Sequence, residues 1–241
     1  MKRTQFMNLG LIASLLFITC TIKNTEDPPG DLKGFTPFKS YLDIAKFAGE
    51  NAKLYQIELK HVLSNGTMDL TAKYRPSARY LFSAELKADD VRYIQKEKES
   101  LPPGQKGPSL KTGDVGTVVV EVNQAEWQTT KSSSAYGSGY HKGMERLPIS
   151  FIPVSWAKNE PVQTPLLSVK KLWETAIAHG VPSTASAEII YNNDGYYFLV
   201  NHKGEKYKLS FDINGKIRDN ENKRIHRKYW LSRFGISYRR Y

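Results

Sequence analysis

Alternation of apolar and polar residues with a period of two is the sequence feature that most constrains the fold. It runs through residues 55 to 63, 80 to 86, 187 to 191 and 207 to 213, and this period places every second side chain on one face of a strand. The apolar run VVVEV at 118 to 122 is typical of a buried strand. These segments predict a fold that is built largely on antiparallel strands.

Two Asn-Gly pairs predict tight turns between strands, because both residue types tolerate the positive φ angles of a hairpin turn. Asn65-Gly66 is expected to lead into a further strand with alternating apolar residues from Met68 to Tyr74. Asn214-Gly215 lies in a stretch, 210 to 221, that has part of the spacing of a calcium loop, but Ser210 stands where a carboxylate is needed. The prediction there is a hairpin and not a metal site.

A threonine followed by a proline opens each of two predicted helices. Thr36-Pro37 begins a helical apolar spacing over 37 to 48, and Thr164-Pro165 begins one over 165 to 178. A hydroxyl cap with proline at the first helical position favours a helix start. The chain is therefore predicted to be α+β, with two units of one helix and one antiparallel meander, a weak internal repeat, and long loops such as 96 to 116 between them.

This order of elements resembles that of the PepSY-like and beta-lactamase-inhibitor-like modules of exported bacterial proteins. The resemblance lies in element order alone, over about half of the chain, and involves no diagnostic residue. It implies that the protein binds or inhibits another protein, although a shared fold does not fix a function.

The first 19 residues have the layout of a secretory signal peptide, with Lys2 and Arg3 before a mostly apolar run from Phe6 to Thr19. Cys20, the single cysteine, follows that run directly. The residues Phe-Ile-Thr-Cys at 17 to 20 resemble a relaxed bacterial lipobox, which implies an exported lipoprotein with lipidated Cys20, held at the periplasmic face or at the cell surface. The alternative is that Cys20 is an ordinary residue of a signal peptide that is cleaved elsewhere.

These features predict five segments of the chain. They are a signal peptide, a lipidated cysteine with a flexible tether rich in proline and glycine, a first α+β unit with loop insertions, a second α+β unit, and a basic aromatic tail. Their predicted bounds are 1–19, 20–35, 36–160, 161–219 and 220–241.

The predicted tail places seven Lys or Arg residues and five aromatic residues between positions 223 and 241, without an acid. Such a tail favours contact with anionic lipid, an acidic glycan or an acidic protein face, whereas nucleic acid is a poor fit for an exported protein. The alternative is a final strand or helix whose rings pack on the body while the arginines stay solvated. The candidate binding residues are Lys223, Arg224, Arg227, Lys228, Tyr229, Trp230 and Arg233.

The stretch KSSSAYGSGYHKG at 131 to 143 is the second candidate for binding. It is either a mobile surface loop or a binding loop in which Tyr136 and Tyr140 supply contact area on a frame of Gly and Ser. The sequence leaves both interpretations open.

Known catalytic motifs do not occur in this sequence. It has no HExxH motif, no phosphate-binding loop and no GxSxG motif, and its five histidines lack the spacing of metal ligands. We therefore predict no catalytic residue, no metal and no cofactor, and a non-enzymatic protein that binds a protein or an acidic surface. The alternative is an exported hydrolytic enzyme whose site folding assembles from scattered polar residues.

Overall fold

Nine antiparallel strands form one continuous sheet in the computed structural model, which describes residues 25–74, 76–99, 109–123, 143–149 and 160–219. The order across the sheet is β1-β5-β4-β3-β2-β6-β7-β8-β9, so that the strand pair β2 and β6 joins the two halves of the chain. The strands are β1 (Thr25–Glu26), β2 (Lys53–Leu63), β3 (Ser77–Glu85), β4 (Val115–Asn123), β5 (Gly143–Ile149), β6 (Ser186–Asn192), β7 (Gly195–His202), β8 (Glu205–Phe211) and β9 (Ile217–Asp219).

Three helices pack on one face of this sheet, which we call the helix-covered face. They are α1 (Tyr41–Ala48), α2 (Ala88–Glu99) and α3 (Val169–Ala178). Helices α1 and α3 contribute to one core with the strands, and α2 packs Val91 and Ile94 against Val118 of β4. Of the helices in the described ranges, none has the length and apolar character needed to cross a bilayer.

The segment 160–168 runs along the same helix-covered face. The Val162 amide donates to the Leu54 carbonyl at 2.7 Å, and the Tyr191 hydroxyl donates to the Gln163 carbonyl at 2.9 Å. Tyr191 packs in the core with α1 and α3, and burial raises its pKa because the phenolate would lose its hydration. This connection therefore adds to the cover of the helix-covered face.

Arg146 of β5 joins three other elements inside the core. Its Nε donates to the carbonyl of Ala48, the last residue of α1, at 2.8 Å, and its Nη2 donates to the Glu85 carbonyl at 3.0 Å. Its Nη1 forms an ion pair with Asp90 of α2, and neither of these two side chains has any exposed surface. Burial of a guanidinium requires acceptors for its charge, and here each of its three nitrogen atoms has one.

The α+β class predicted from the sequence is confirmed. The strands predicted at 55 to 63, 118 to 122 and 187 to 191 lie within β2, β4 and β6, and the one predicted at 80 to 86 coincides with β3 up to residue 85. The internal repeat is not confirmed. The predicted boundary between residues 160 and 161 does not divide the sheet, because β2 and β6 pair across it from Ile57 to Leu63. One core includes residues from both predicted units.

Both predicted helix starts are wrong by four residues. Helix α1 begins at Tyr41 after Ser40, whose amide bonds to the Thr36 carbonyl in a preceding turn. Helix α3 begins after Ser168, whose Oγ accepts from the Lys171 amide at 3.2 Å. Ser168 thus caps α3 with its side chain in place of Thr164, whereas Ser40 precedes α1 without a capping hydrogen bond from its side chain.

The strand predicted from Met68 to Tyr74 is also wrong. Asn65 and Asp69 each accept a hydrogen bond at 3.0 Å from the backbone amide two residues further on, that of Thr67 and of Thr71. These side-chain contacts favour turns over a strand ladder. Only Met68 forms an isolated bridge, with Phe35.

Helix α2 and strand β5 were not predicted. The predicted loop from 96 to 116 is too long, because regular structure extends into both of its ends. Residues up to Glu99 belong to α2, and β4 begins at Val115. Val91 and Ile94 are the buried apolar residues among the described side chains of α2. Two apolar positions among charged residues are too few to indicate a helix. The Lys87 amide donates to the Asp90 carboxylate at 2.6 Å at the start of α2.

The predicted tether, 20 to 35, is incorrect from residue 25 onward. Strand β1 pairs with β5 in the register Thr25 to Glu145 and Glu26 to Met144. Phe35 is buried in the core and forms the bridge to Met68. Pairing with the sheet edge and burial of one ring thus hold this segment despite its prolines and glycines.

Candidate functional site

The second face of the sheet carries no described helix, and we call it the helix-free face. Residues that lie directly opposite on neighbouring antiparallel strands point to the same face. The register therefore aligns one row of side chains across seven strands from β5 to β8. This row consists of Glu145, Glu121, Arg79, Glu58, Ile190, Tyr197 and Ser210.

Charge is concentrated at the β5 end of this row. Arg79 lies between two carboxylates, with its Nη1 3.4 Å from Oε2 of Glu58 and its Nε 3.5 Å from Oε2 of Glu121. Glu145 lies opposite Glu121 on the next strand. Three carboxylates and one guanidinium thus lie side by side, and we call these four residues the acidic row.

Apolar side chains border the acidic row on the same face. Leu81, Val119 and Leu147 form the adjacent row over β3, β4 and β5, and Leu199 of β7 lies next to Tyr197 on the same face. Val119 is only 3% exposed and Gln56, beside Glu58, only 4%. The face therefore combines apolar contact area with a cluster of carboxylates at its β5 end, while Lys208, opposite Leu199, lies near its β8 end. Two of its side chains are almost inaccessible to solvent.

Sequence reasoning missed the acidic row, although its alternation signal was present. The period of two places Glu58 and Glu121 opposite to the core on their own strands. It does not show that Glu121 meets Glu145, because strand β5 was not predicted and the register between strands is set by packing on the other face.

A bulge in β2 creates the second group of titratable side chains. The pairing with β6 shifts by one residue between Leu59 and Val62. His61 has a φ of 61° there, a backbone conformation that residues other than glycine rarely adopt. Its Nδ1 lies 3.5 Å from Oγ of Ser186, and its ring lies 5.0 Å from the ring of Tyr74. Burial lowers the pKa of His61, while Glu188 acts in the opposite direction.

The hairpin predicted at Asn214-Gly215 is confirmed between β8 and β9. The Asp212 carboxylate accepts from the backbone amides of Asn214 and Lys216, each at 2.9 Å, so this side chain stabilises the turn. In the described ranges, His, Asp and Glu form no group of three suited to a metal ion.

The candidate site residues from the sequence analysis lie outside the described residues. This applies to the lipidation site Cys20, to both tyrosines of the predicted binding loop, and to the tail. The residues concerned are Cys20, Tyr136, Tyr140, Lys223, Arg224, Arg227, Lys228, Tyr229, Trp230 and Arg233.

No known protein family matches the chain, and neither does any curated protein or solved structure.

Proposed function

We propose that this protein is an exported bacterial lipoprotein, anchored by Cys20, that acts by binding a protein partner through the helix-free face and not as an enzyme. The acidic row beside apolar side chains is the observation that carries the proposal. A partner that suits this face presents Arg or Lys together with aromatic side chains, because such residues complement both its charge and its apolar area.

The size of the helix-free face supports a protein as the partner. Six strand spacings separate β5 from β8, which corresponds to roughly 29 Å at about 4.8 Å per spacing. With strands of seven residues or more, the face measures roughly 600 to 700 Å². This area approaches the roughly 800 Å² that each partner contributes to a standard interface.

The lipid anchor and the role of the tail are parts of the same proposal. The apolar run before Cys20 and the solitary thiol support lipidation. The seven positive charges after residue 222 support an electrostatic contact with an anionic lipid, a glycan or an acidic protein surface. The repeat of one helix and one meander per half also stays a proposal, supported by the burial of α1 and α3 in the same core.

Replacement of Cys20 tests the anchor. In a Cys20→Ala variant no thiol remains for lipidation, so we expect nearly all of the protein to move from the membrane fraction to the soluble fraction. The measurement is immunoblotting after ultracentrifugation, with Thr21→Ala as the matched control that leaves the thiol in place. Retention of Cys20→Ala in the membrane fraction would contradict the lipid anchor, but it would not bear on binding through the helix-free face.

Site-specific photo-cross-linking in cells tests the binding face. A photoreactive residue at Leu199 should give an adduct with a second polypeptide, whereas one at Ile177, on the exposed side of α3, should not. Neutralisation of the acidic row with Glu58→Gln and Glu121→Gln should lower the adduct yield several-fold, because each lost contact weakens electrostatic complementarity. Equal yields from positions 199 and 177 would refute the helix-free face as the binding surface.

The contact between Ser186 and His61 is the observation that favours the alternative, a hydrolytic enzyme. A hydroxyl beside an imidazole is the start of a nucleophile and base pair. At 3.5 Å the contact is longer than an ordinary O–H···N hydrogen bond, and His61 also packs on Tyr74. Hydrolysis of an ester probe by the purified protein, abolished by Ser186→Ala, would favour a hydrolytic enzyme over a binding protein.

A further inference from the structure

We propose that Asn214 is a site of spontaneous covalent modification, where deamidation converts the side chain to aspartate or isoaspartate, while Asn65 in an equivalent turn is protected. These two asparagines are the ones that a glycine follows in this sequence. The proposal concerns the turn between β8 and β9 and does not depend on the proposed binding face. Its reactant is water.

The reaction begins at the backbone nitrogen of the residue after the asparagine. This nitrogen attacks the side-chain amide carbon and forms a bond to it, and the amide nitrogen leaves as ammonia, which carries away the proton of the backbone nitrogen. Water then opens the resulting five-membered succinimide at one of its two carbonyl carbons, giving aspartate or isoaspartate. Glycine favours the attack because it has no β-carbon to obstruct the ring. The rate therefore depends on how freely the asparagine side chain can turn toward the glycine nitrogen.

The two turns have the same backbone arrangement. In each turn the amide of the first residue donates to the carbonyl of the fifth, at 2.8 Å from Leu63 to Thr67 and at 2.9 Å from Asp212 to Lys216. The amide of the glycine donates to the carbonyl of the first residue, at 2.9 Å in one turn and 3.0 Å in the other. Both glycines have a φ of 83°. A difference in reactivity must therefore come from the side chains and the surroundings.

The side chain of Asn65 is held by Thr67. Its Oδ1 accepts from the backbone amide of Thr67 at 3.0 Å and from the Thr67 hydroxyl at 2.8 Å. Gly66 is buried at the start of α3, where an added β-carbon would lie 2.6 Å from the backbone nitrogen of Lys170. Formation of the succinimide at Asn65 thus requires the loss of two hydrogen bonds and movement against close-packed backbone.

In the second turn the corresponding hydrogen bond goes to Asp212 and not to the asparagine. Its Oδ1 accepts from the Lys216 amide at 2.9 Å, and lysine has no hydroxyl to donate to Asn214. Among the described residues, the exposed side chain of Asn214 has no hydrogen-bond partner. The glycine of this turn lies against the end of the Leu167 side chain and not against backbone. The Asn214 side chain is therefore free to approach the glycine nitrogen.

The position of each turn in the sheet adds to this difference. Strand β9 is an edge strand of three residues, and two residue pairs join it to β8. The turn at Asn65 follows the central strand β2 and leads to Met68, which is buried and forms the bridge to Phe35. Short pairings at a sheet edge open more often than pairings in the core. The turn at Asn214 thus reaches the conformation needed for attack more often.

Modification of Asn214 is expected to weaken the hairpin in two ways. It places a new carboxylate two positions from that of Asp212, which already accepts two hydrogen bonds within this turn, and like charges repel. An isoaspartate also adds one carbon atom to the main chain and so disturbs the pairing of Ile217 with Phe211. We therefore expect β9 to separate from β8 in the modified chain.

Incubation of the purified chain at neutral pH, followed by peptide mass spectrometry, tests the proposal. Cleavage after lysine gives residues 61–73 and 209–216 as separate peptides, so that both asparagines are measured in one sample. We expect Asn214 to be converted roughly tenfold faster than Asn65, because the two hydrogen bonds of Asn65 must open first. In denaturant at the same pH the two rates should become similar, since neither turn persists there.

Two variants exchange the feature that distinguishes the turns. Thr67→Val removes the hydroxyl that donates to Asn65 and should raise the rate at Asn65 several-fold, with Asn214 of the same chain as the internal standard. Lys216→Thr introduces a hydroxyl at the corresponding exposed position and should lower the rate at Asn214 several-fold. Circular dichroism before incubation verifies that each variant is folded.

Equal rates at the two asparagines of the folded chain would overturn the proposal, and so would a faster rate at Asn65. Conversion of Asn214 in denaturant alone would also overturn it, because the folded turn would then protect both sites. An unchanged rate at Asn214 in Lys216→Thr would refute side-chain hydrogen bonding as the cause of protection. Cross-linking at Leu199 tests the proposed function separately from all of these measurements.

Discussion

Arg146→Ala is expected to lower the free energy of unfolding by about 3 to 5 kcal/mol, the usual cost of breaking a buried ion pair from one side. The variant leaves the Asp90 carboxylate, which has no exposed surface, without its counter-charge. It also removes the donors to the Ala48 and Glu85 carbonyls. Urea denaturation, followed by circular dichroism, measures the change from the shift of the midpoint.

A double variant separates the ion pair from the loss of packing. Arg146→Met with Asp90→Ala removes both charges and keeps an unbranched side chain in the core, so we expect it to be more stable than Arg146→Ala. Lys171→Ala breaks an exposed pair with Glu174 on α3 and is expected to cost less than about 1 kcal/mol. If Arg146→Ala were as stable as Lys171→Ala, the buried ion pair would not contribute to the free energy of unfolding as expected.

Trp173→Ala is expected to cost a similar amount, about 3 to 5 kcal/mol, because it opens a large cavity in the core. Trp173 has no exposed surface, and its ring meets that of Phe198 edge to face, with the centroids 4.9 Å apart. Leu172→Ala on the same side of α3 should cost about 2 to 5 kcal/mol for the same reason. Thermal and urea unfolding of each variant provide the measurement.

Trp173→Phe is the matched control for the cavity. The indole Nε1 is buried and has no hydrogen-bond partner among the described residues, so its removal eliminates one unsatisfied donor. Phenylalanine also keeps a ring against Phe198. We expect this variant to lose less than half as much stability as Trp173→Ala. Equal losses would contradict the opened cavity as the cause of the effect.

The sequence by itself determined the α+β class, most of the strands and the core-facing side of β3 and β6. Side-chain direction in a strand is a local property, so the alternation in β3 and β6 predicts the buried residues without knowledge of the neighbours. In β2 two bulges interrupt the alternation, so Leu54 and Val62 are buried in place of Tyr55 and Leu63. The hairpin at Asn214-Gly215 is similarly local, since Asp212 and the two turn residues lie within four positions of one another.

Segments with weak local signals needed the tertiary structure. Gly143–Ile149 contains Glu145 and Arg146 and has little strand character in the sequence, yet it pairs along β4 because its other partners, Ala48 and Asp90, meet Arg146 in the core. Thr25–Glu26 is too short to be predicted as a strand, and it forms one only because β5 offers it an edge.

The candidate site was decided entirely by the tertiary structure. Glu58, Arg79, Glu121 and Glu145 come from four strands and become neighbours only when the register of three strand pairs is fixed. That register is set on the opposite face, where Tyr80 lies beside Ile57 and Val120, and Val120 beside Arg146. A shift of one residue in the register would move the side chains of a strand to the opposite face, and these four residues would no longer be neighbours. The sequence thus determines which residues point away from the core, and the packing of the core determines which of these residues become neighbours.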